Sequence, residues 1–141
     1  MRFWDASAIV PLLVNEPSSR AMADLFRDDH EVAVWWTTHL ECVSALTRRE
    51  RAQQIPAVQA RNALSRLDDF AVGWQEVAPS DEVRRTARRV TRSYGLRAGD
   101  ALQLAASIVA AERDPTSLPF VSLDADLVDA ARIEGFSVFS V

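Results

Sequence analysis

Asp5 sits in an apolar run that has no local use for a charge: Phe3 and Trp4 precede it, and Ala8-Ile9-Val10 and Leu12-Leu13-Val14 follow. Other acids recur in similar places. Asp124 and Asp126 follow the apolar run 120–123, Glu41 comes shortly after the run 31–36, and Asp100 stands between Ala98-Gly99 and Ala101-Leu102. If these carboxylates gather, they repel and shift one another's pKa, and a cation must sit among them. With oxygen donors and no His or Cys cluster, the ion that suits them is Mg²⁺ or Mn²⁺ rather than zinc or copper. An ion of that kind keeps several waters, makes one a better nucleophile and offsets charge on a phosphate. The chemistry such a site would do is phosphodiester hydrolysis.

Each acid also has a purely structural reading. Asp5 can cap the helix that follows, worth about 1 kcal/mol. Glu41 can complete a capping box with Thr38 as its N-cap. Asp100 can serve the dipole of its helix from the first turn, and Asp124 can be a cap with Asp126 in the first turn behind it. His30 and His39 read as surface or loop residues.

The elements that would position these residues alternate. Short apolar segments at 2–4, 31–36, 73–78, 120–123 and 136–139 read as strands. Between them lie helical patterns at 6–15, 17–29, 38–53, 56–70, 81–94, 97–113 and 127–134. Ser80 or Asp81 caps the fifth helix, and Gly95 closes it. The third helix places Leu40, Val43, Leu46 and Thr47 on one face, and the fourth Val58, Ala63, Leu64 and Leu67. Alternation of this kind predicts an α/β domain, a mainly parallel sheet of four to five strands with right-handed crossovers and helices on both faces. Ligands of such sheets gather beyond the carboxyl ends of the strands, at the topological switch point. Asp5, Glu41 and the Asp124–Asp126 pair all belong there, and Asp100 comes from a separate helix start. Trp35, Trp36 and Trp74, in or beside strands, are expected to fill the core.

With 141 residues and 48% hydrophobic composition, the chain reads as one globular domain over 1–141. No stretch is long enough to cross a bilayer, no signal-peptide pattern opens the chain, and the cytoplasm is the expected location. The single cysteine, Cys42, excludes an internal disulfide and a cysteine-based zinc site. The net charge of −4 argues only weakly against nucleic acid, because acids gathered on cations say little about the surface a phosphate meets. All sixteen basic residues are arginine, so each can make forked contacts to carboxylate or phosphate.

Asp5 in "WDASAIVPLL", Glu41 in "THLECVSAL", Asp100 in "LRAGDALQLAAS" and Asp124 in "FVSLDADLVDAA" resemble, in order and rough spacing, the acids of PIN-domain nucleases. The nearest resemblance is to the VapC-like toxin ribonucleases of bacterial toxin–antitoxin modules. It implies a three-layer α/β/α domain and a Mg²⁺-dependent endoribonuclease, with tRNA or rRNA among the possible targets. Asp5, Glu41, Asp100 and Asp124 would be catalytic, with Asp5, Asp100 and Asp124 as metal ligands. Glu41 would be a further ligand or a base orienting the attacking water. Ser7 and Ser122 match the family's hydroxyl residues and would orient carboxylates or waters, and Asp126 is a spare ligand beside Asp124. The resemblance also implies a homodimer and a VapB-like antitoxin whose C-terminal segment crosses the active-site groove. Leu12, Leu13, Met22, Leu25 and Phe26 are candidates to meet that segment or to be ordinary core.

Arg84, Arg88 and Arg92, with Arg85 and Arg89 beside them, form a basic stripe that would track phosphates or simply be a solvated face. Arg97, three residues before Asp100, is the first candidate for contact with RNA or an antitoxin carboxylate. Arg48, Arg49 and Arg51 form a second basic cluster at the end of the third helix, where they would also complement its dipole. An Asp-based phosphotransfer domain is the rival enzyme, but Ser7 stands where a phosphatase of that type needs its second Asp, and no lysine is present for either it or a receiver domain. The non-enzymatic rival is a catalytically inactive PIN-like binding module.

Overall fold

The computed structural model describes residues 1–141. In chain order the elements are β1 (Arg2–Trp4), α1 (Ala6–Leu13), α2 (Ser19–Asp28), β2 (Val32–Trp35), α3 (Thr38–Arg51), α4 (Ala57–Ala71), β3 (Gln75–Val77), α5 (Asp81–Tyr94), α6 (Ala98–Ala110), β4 (Phe120–Val121), α7 (Ala125–Ile133) and β5 (Val138–Phe139). A 3₁₀ turn at Pro115–Ser117 leads into β4. The five strands are all parallel, in the order β3-β2-β1-β4-β5. The chain winds outward from β1 through β2 to β3, then returns to start β4 on the other side of β1. The switch point therefore lies between β1 and β4, and their carboxyl ends carry Asp5 and Asp124.

Strand alternation divides the interior into two cores. Phe3, Ala33, Trp35 and Phe120 face one side, against Val83, Ala87 and Val90 of α5, Leu104 and Ile108 of α6, and Leu127 of α7. Trp4, Val32, Val34 and Val121 face the other, against Ile9 and Leu13 of α1, Met22 of α2, Leu46 of α3 and Leu67 of α4. This is the α/β/α layering expected of the sequence. Burying a side chain such as Ile9 or Leu104 completely is worth about 1.5–3 kcal/mol, so both layers are held chiefly by apolar burial. Phe3 and Phe120 stack across the β1–β4 pair with centroids 5.5 Å apart. No helix is long and apolar enough to cross a membrane.

Several sequence expectations are corrected. Thr38 does not cap α3: Thr37 occupies the cap position, neither threonine makes a side-chain cap bond, and Thr38 is buried inside the helix. Trp36 is not core but 56% exposed. Alternation would put it on the side of Val32 and Val34, but the chain leaves the sheet at Thr37, after the Trp36 N–H bonds the Val77 carbonyl at 3.1 Å. Leu40 and Val58 are exposed too, because α3 buries Thr38, Cys42 and Leu46, and α4 buries Ala60, Ala63 and Leu67. Leu13 and Met22 belong to the core, while Leu12, Leu25 and Phe26 are half-buried around it. β4 stops at Val121, two residues earlier than its pattern suggests, and α7 begins at Ala125. Residues 122–124 are thereby freed to turn at the sheet's edge. Gly95 ends α5 in the left-handed region, φ 66°, as expected.

Candidate active site

Asp5 leaves β1 with its backbone N–H still bonded to the Val121 carbonyl at 3.1 Å, so it stands at the β1–β4 seam. It is the N-cap of α1. One carboxylate oxygen, Oδ2, accepts from the Ser7 N–H at 3.2 Å, and Oδ1 accepts from the Ser7 hydroxyl at 2.8 Å. The Ser7 hydroxyl in turn accepts from the Leu123 N–H at 2.9 Å and lies 3.4 Å from the Ser122 hydroxyl. A single serine thus ties the end of β1 to the end of β4. Asp5 is almost fully buried. Burial pushes its carboxyl up to about 7; hydrogen bonds from Ser7 and Ser122 oppose the shift, and the Glu41 charge adds to it.

Asp124 is the N-cap of α7: Oδ1 accepts from the Leu127 N–H at 2.9 Å, and its own N–H bonds the buried Ser122 hydroxyl at 3.1 Å. Asp100 lies in the first turn of α6. Its carboxyl is raised first by burial, then by the charges of Asp124 and Glu41, while Arg97 pulls it down. Glu41, in the first turn of α3, is clamped from two sides. The Thr37 hydroxyl donates to Oε1 at 2.7 Å and the Gln103 amide to Oε2 at 3.2 Å. That amide also donates to the Thr38 hydroxyl at 3.0 Å, linking α6 to α3 beneath the site. Buried Cys42 has its thiol pushed up to about 12, by burial and then by Glu41 and Asp5.

Asp5, Ser7, Glu41, Asp100 and Asp124 line one cleft of about 480 Å³. Asp100 and Asp124 also line an adjoining hollow of about 590 Å³ with Tyr94, Arg97, Asp126 and Asp129. Asp124 therefore faces the Asp5 cleft and Asp126 only the neighbouring hollow. Arg97 opens onto that hollow as well. Arg84 lines a separate depression with Trp35, Pro79 and Leu102, and Arg88 is exposed on α5 beside neither cavity. Arg89 is committed to a forked pair with Glu134, which also accepts from the Tyr94 hydroxyl. His39 pairs with Asp68 at 2.9 Å, and His30 packs against Phe26; neither touches the acids.

Sequence reasoning missed two groups. Gln103 was hidden in an Ala- and Leu-rich helix, and its partners Thr38 and Glu41 lie far away in sequence, at the start of α3. The second is Ser44 and Glu16, which line the acid cleft beside Arg48 and Arg49, two members of the basic cluster expected at the end of this helix. The signal for Ser44 was present: Ser44 and Arg48 follow Glu41 at i+3 and i+7, one helical face.

None of Asp5, Glu41, Asp100 and Asp124 forms an ion pair; the chain's arginines meet other acids, Arg49 with Glu16 at 2.6 Å and Arg89 with Glu134 at 2.5 Å among them. No three His, Cys, Asp or Glu side chains are arranged to grip an ion directly. The donors fit instead an ion held by one or two carboxylates that keeps part of its water shell, the habit of Mg²⁺. Four carboxylates on one cleft with no base paired to any of them leave negative charge there uncompensated.

The family model of the PIN domain matches residues 2–133. No curated protein matches the sequence. The fold is similar to that of PAE2754 from Pyrobaculum aerophilum, at 20% identity and a TM-score of 0.70, covering 99% of this chain and 88% of that one. FitAcB from Neisseria gonorrhoeae gives 21%, 0.64, 99% and 96%. A toxin–antitoxin complex from Klebsiella pneumoniae gives 15%, 0.59, 88% and 87%. At these identities the likeness is one of fold.

Proposed function

The chain belongs to the PIN-domain family, and from that membership and its four-acid cleft we propose that it is a Mg²⁺-dependent endoribonuclease, the toxin of a VapC-like toxin–antitoxin pair. The observation that carries the reading is the convergence of Asp5, Glu41, Asp100 and Asp124 from four elements on one cleft with no base paired to any of them. Residues 1–141 act as one nuclease unit, working in the cytoplasm on tRNA or rRNA. The antitoxin, VapB-like, is supported by the toxin–antitoxin complex among the structural neighbours. A homodimer is the assembly the family resemblance suggests.

Mg²⁺, or Mn²⁺ in its place, would supply positive charge for the phosphoryl oxygens and make water a better nucleophile at neutral pH. Asp5, Asp100 and Asp124 would hold it. Asp124 spends Oδ1 on the α7 cap and keeps Oδ2 free of hydrogen bonds within the chain. Ser7 fixes the orientation of Asp5, Ser122 backs Ser7 and accepts from the Asp124 N–H, and Asp126 stands in reserve from the neighbouring hollow. Glu41 is held by Thr37 and Gln103 with lone pairs left on both oxygens, so it can take the proton of the attacking water. The water oxygen bonds to phosphorus, the bond from phosphorus to the leaving ribose oxygen breaks, that oxygen takes a proton from solvent, and Glu41 returns its proton to solvent. Arg97, and Arg84 and Arg88 further out, are the contacts expected for RNA or antitoxin.

The test is cleavage of total cellular RNA by purified protein with Mg²⁺ or Mn²⁺, beside Asp5→Asn and an EDTA control. Discrete fragments that vanish in both controls are expected. Cleavage that persists in Asp5→Asn refutes the assignment, and no cleavage by antitoxin-free protein returns the chain to the binding-module reading.

A further inference from the structure

The acid cleft has a basic end. Helix α3 carries Glu41, Ser44 and Arg48 along one face, and Arg48 stands seven residues from Glu41, about 10 Å along the helix axis. Arg48, Arg49 and Glu16 belong both to the acid cleft and to a further hollow of about 530 Å³ that continues past Pro17 and Ala52 to Gln54. The two hollows form a track leading away from the carboxylates along α3.

The two arginines are not equivalent. Arg49 is occupied: it pairs with Glu16 at 2.6 Å and donates to the Ala45 carbonyl at 3.1 Å, as a residue satisfying the helix end should. Arg48 has no carboxylate partner. Its one hydrogen bond runs from Nη1 to the Ser44 hydroxyl at 2.6 Å, which aims the guanidinium along the cleft wall and leaves the other donors of a five-donor group unused. A dipole role would not explain that orientation. A polyanionic strand lying over four carboxylates is repelled by them, and a fixed cation at one end of the cleft offsets that repulsion for a phosphate beside the scissile one.

We propose that Arg48, aimed by Ser44 and walled by the Arg49–Glu16 pair, binds a backbone phosphate flanking the scissile one and so sets the direction in which RNA crosses the acids. The assignment rests on the nuclease reading and adds a substrate contact to it. It also separates Arg48 from Arg84 and Arg88, which face other parts of the surface.

The experiment measures binding in an Asp5→Asn background, which holds RNA without cutting it, using a short fluorescein-labelled single-stranded RNA of random sequence in Mg²⁺ across a salt series. Arg48→Ala is expected to weaken binding about tenfold at low salt. It should also reduce the slope of log K against log salt by about 0.7, one phosphate contact on a single strand. Arg48→Lys should keep the slope while losing part of the affinity, and Arg61→Ala, on the exposed side of α4, should change neither. An Arg48→Ala protein with unchanged slope and affinity overturns the assignment, as does an equal loss in Arg61→Ala. So does an Arg48→Ala protein that keeps RNA but loses a co-expressed protein partner. Failure of every form to bind RNA, with melting temperatures intact, falls instead on the nuclease reading.

Discussion

Replacing Asp5 by Asn should stabilise the metal-free protein at neutral and alkaline pH. The folded carboxyl titrates at about 7 against an ordinary 3.8, because burial disfavours its charged form. At about 1.4 kcal/mol for each tenfold change, the ionised group costs the fold about 4 kcal/mol once the pH exceeds the folded value. The sign follows from proton counting. Between 3.8 and about 7 the folded state binds more protons than the unfolded state, so stability falls as pH rises through that window. Asn carries no charge, and its amide can keep the cap. Its oxygen accepts from the Ser7 N–H, and its NH₂ donates to the Ser7 hydroxyl, which then turns its hydrogen toward Ser122. Allowing about 1 kcal/mol for that rearrangement leaves a net gain of about 3 kcal/mol near pH 8. Near pH 4 the gain should have disappeared. The assay is urea unfolding in EDTA over this pH range, with wild type and variant side by side. An Asn variant that is no more stable near pH 8, or whose advantage does not depend on pH, refutes the reasoning. Adding Mg²⁺ should then raise the wild type and leave the variant nearly unchanged, since only the wild type has the charge the ion binds.

Gln103→Leu should lower the kcat of RNA cleavage tenfold to a hundredfold, because Glu41 loses a charge-assisted hydrogen bond worth about 1.5–3 kcal/mol. Its stability should change much less, since Leu also removes a buried amide oxygen that has no hydrogen-bond partner. A wild-type kcat in this variant would mean that Glu41 needs no such anchor. Trp35→Ala should cost about 3–5 kcal/mol by emptying a core position, whereas Trp36→Ala, next in sequence but exposed, should stay within about 0.5 kcal/mol of wild type. Chemical denaturation reads both, and equal losses would show that Trp36 is buried after all.

The acids were legible because residue type contradicted local pattern. A carboxylate after Phe3-Trp4, or after 120–123, is a misfit in an apolar run whatever the fold, and the alternation of elements was enough to send both to one edge of a parallel sheet. The layers were legible for the same reason, since the periodicity of strands and helices survives in one dimension. What was hidden depended on contacts between elements. Trp36 continues the pattern of β2, and only the turn at Thr37 takes it out of the sheet. The Thr37 hydroxyl resembles a helix cap but bonds the Glu41 side chain. Gln103 looks like the polar position of an amphipathic helix until its amide is seen to reach Thr38 and Glu41 at the start of α3, and Arg48 is one of a basic cluster until the cleft is seen to run beside it.

The cap and site readings of Asp5 and Asp124, which compete in the sequence, are compatible in the fold. A parallel strand that feeds directly into a helix delivers unbonded N–H groups at its carboxyl end, and an Asp there accepts them. That is the place where ligands of a doubly wound sheet collect, so capping brings the carboxylates to the seam between β1 and β4 without any separate device. Capping is worth about 1 kcal/mol per helix, against the roughly 4 kcal/mol that the buried, ionised Asp5 costs. The local structure therefore positions the charge but does not offset it. A cation bound in the cleft, as proposed, would recover the remaining few kcal/mol as affinity, so that the desolvated carboxylate that weakens the metal-free fold would strengthen its hold on the ion.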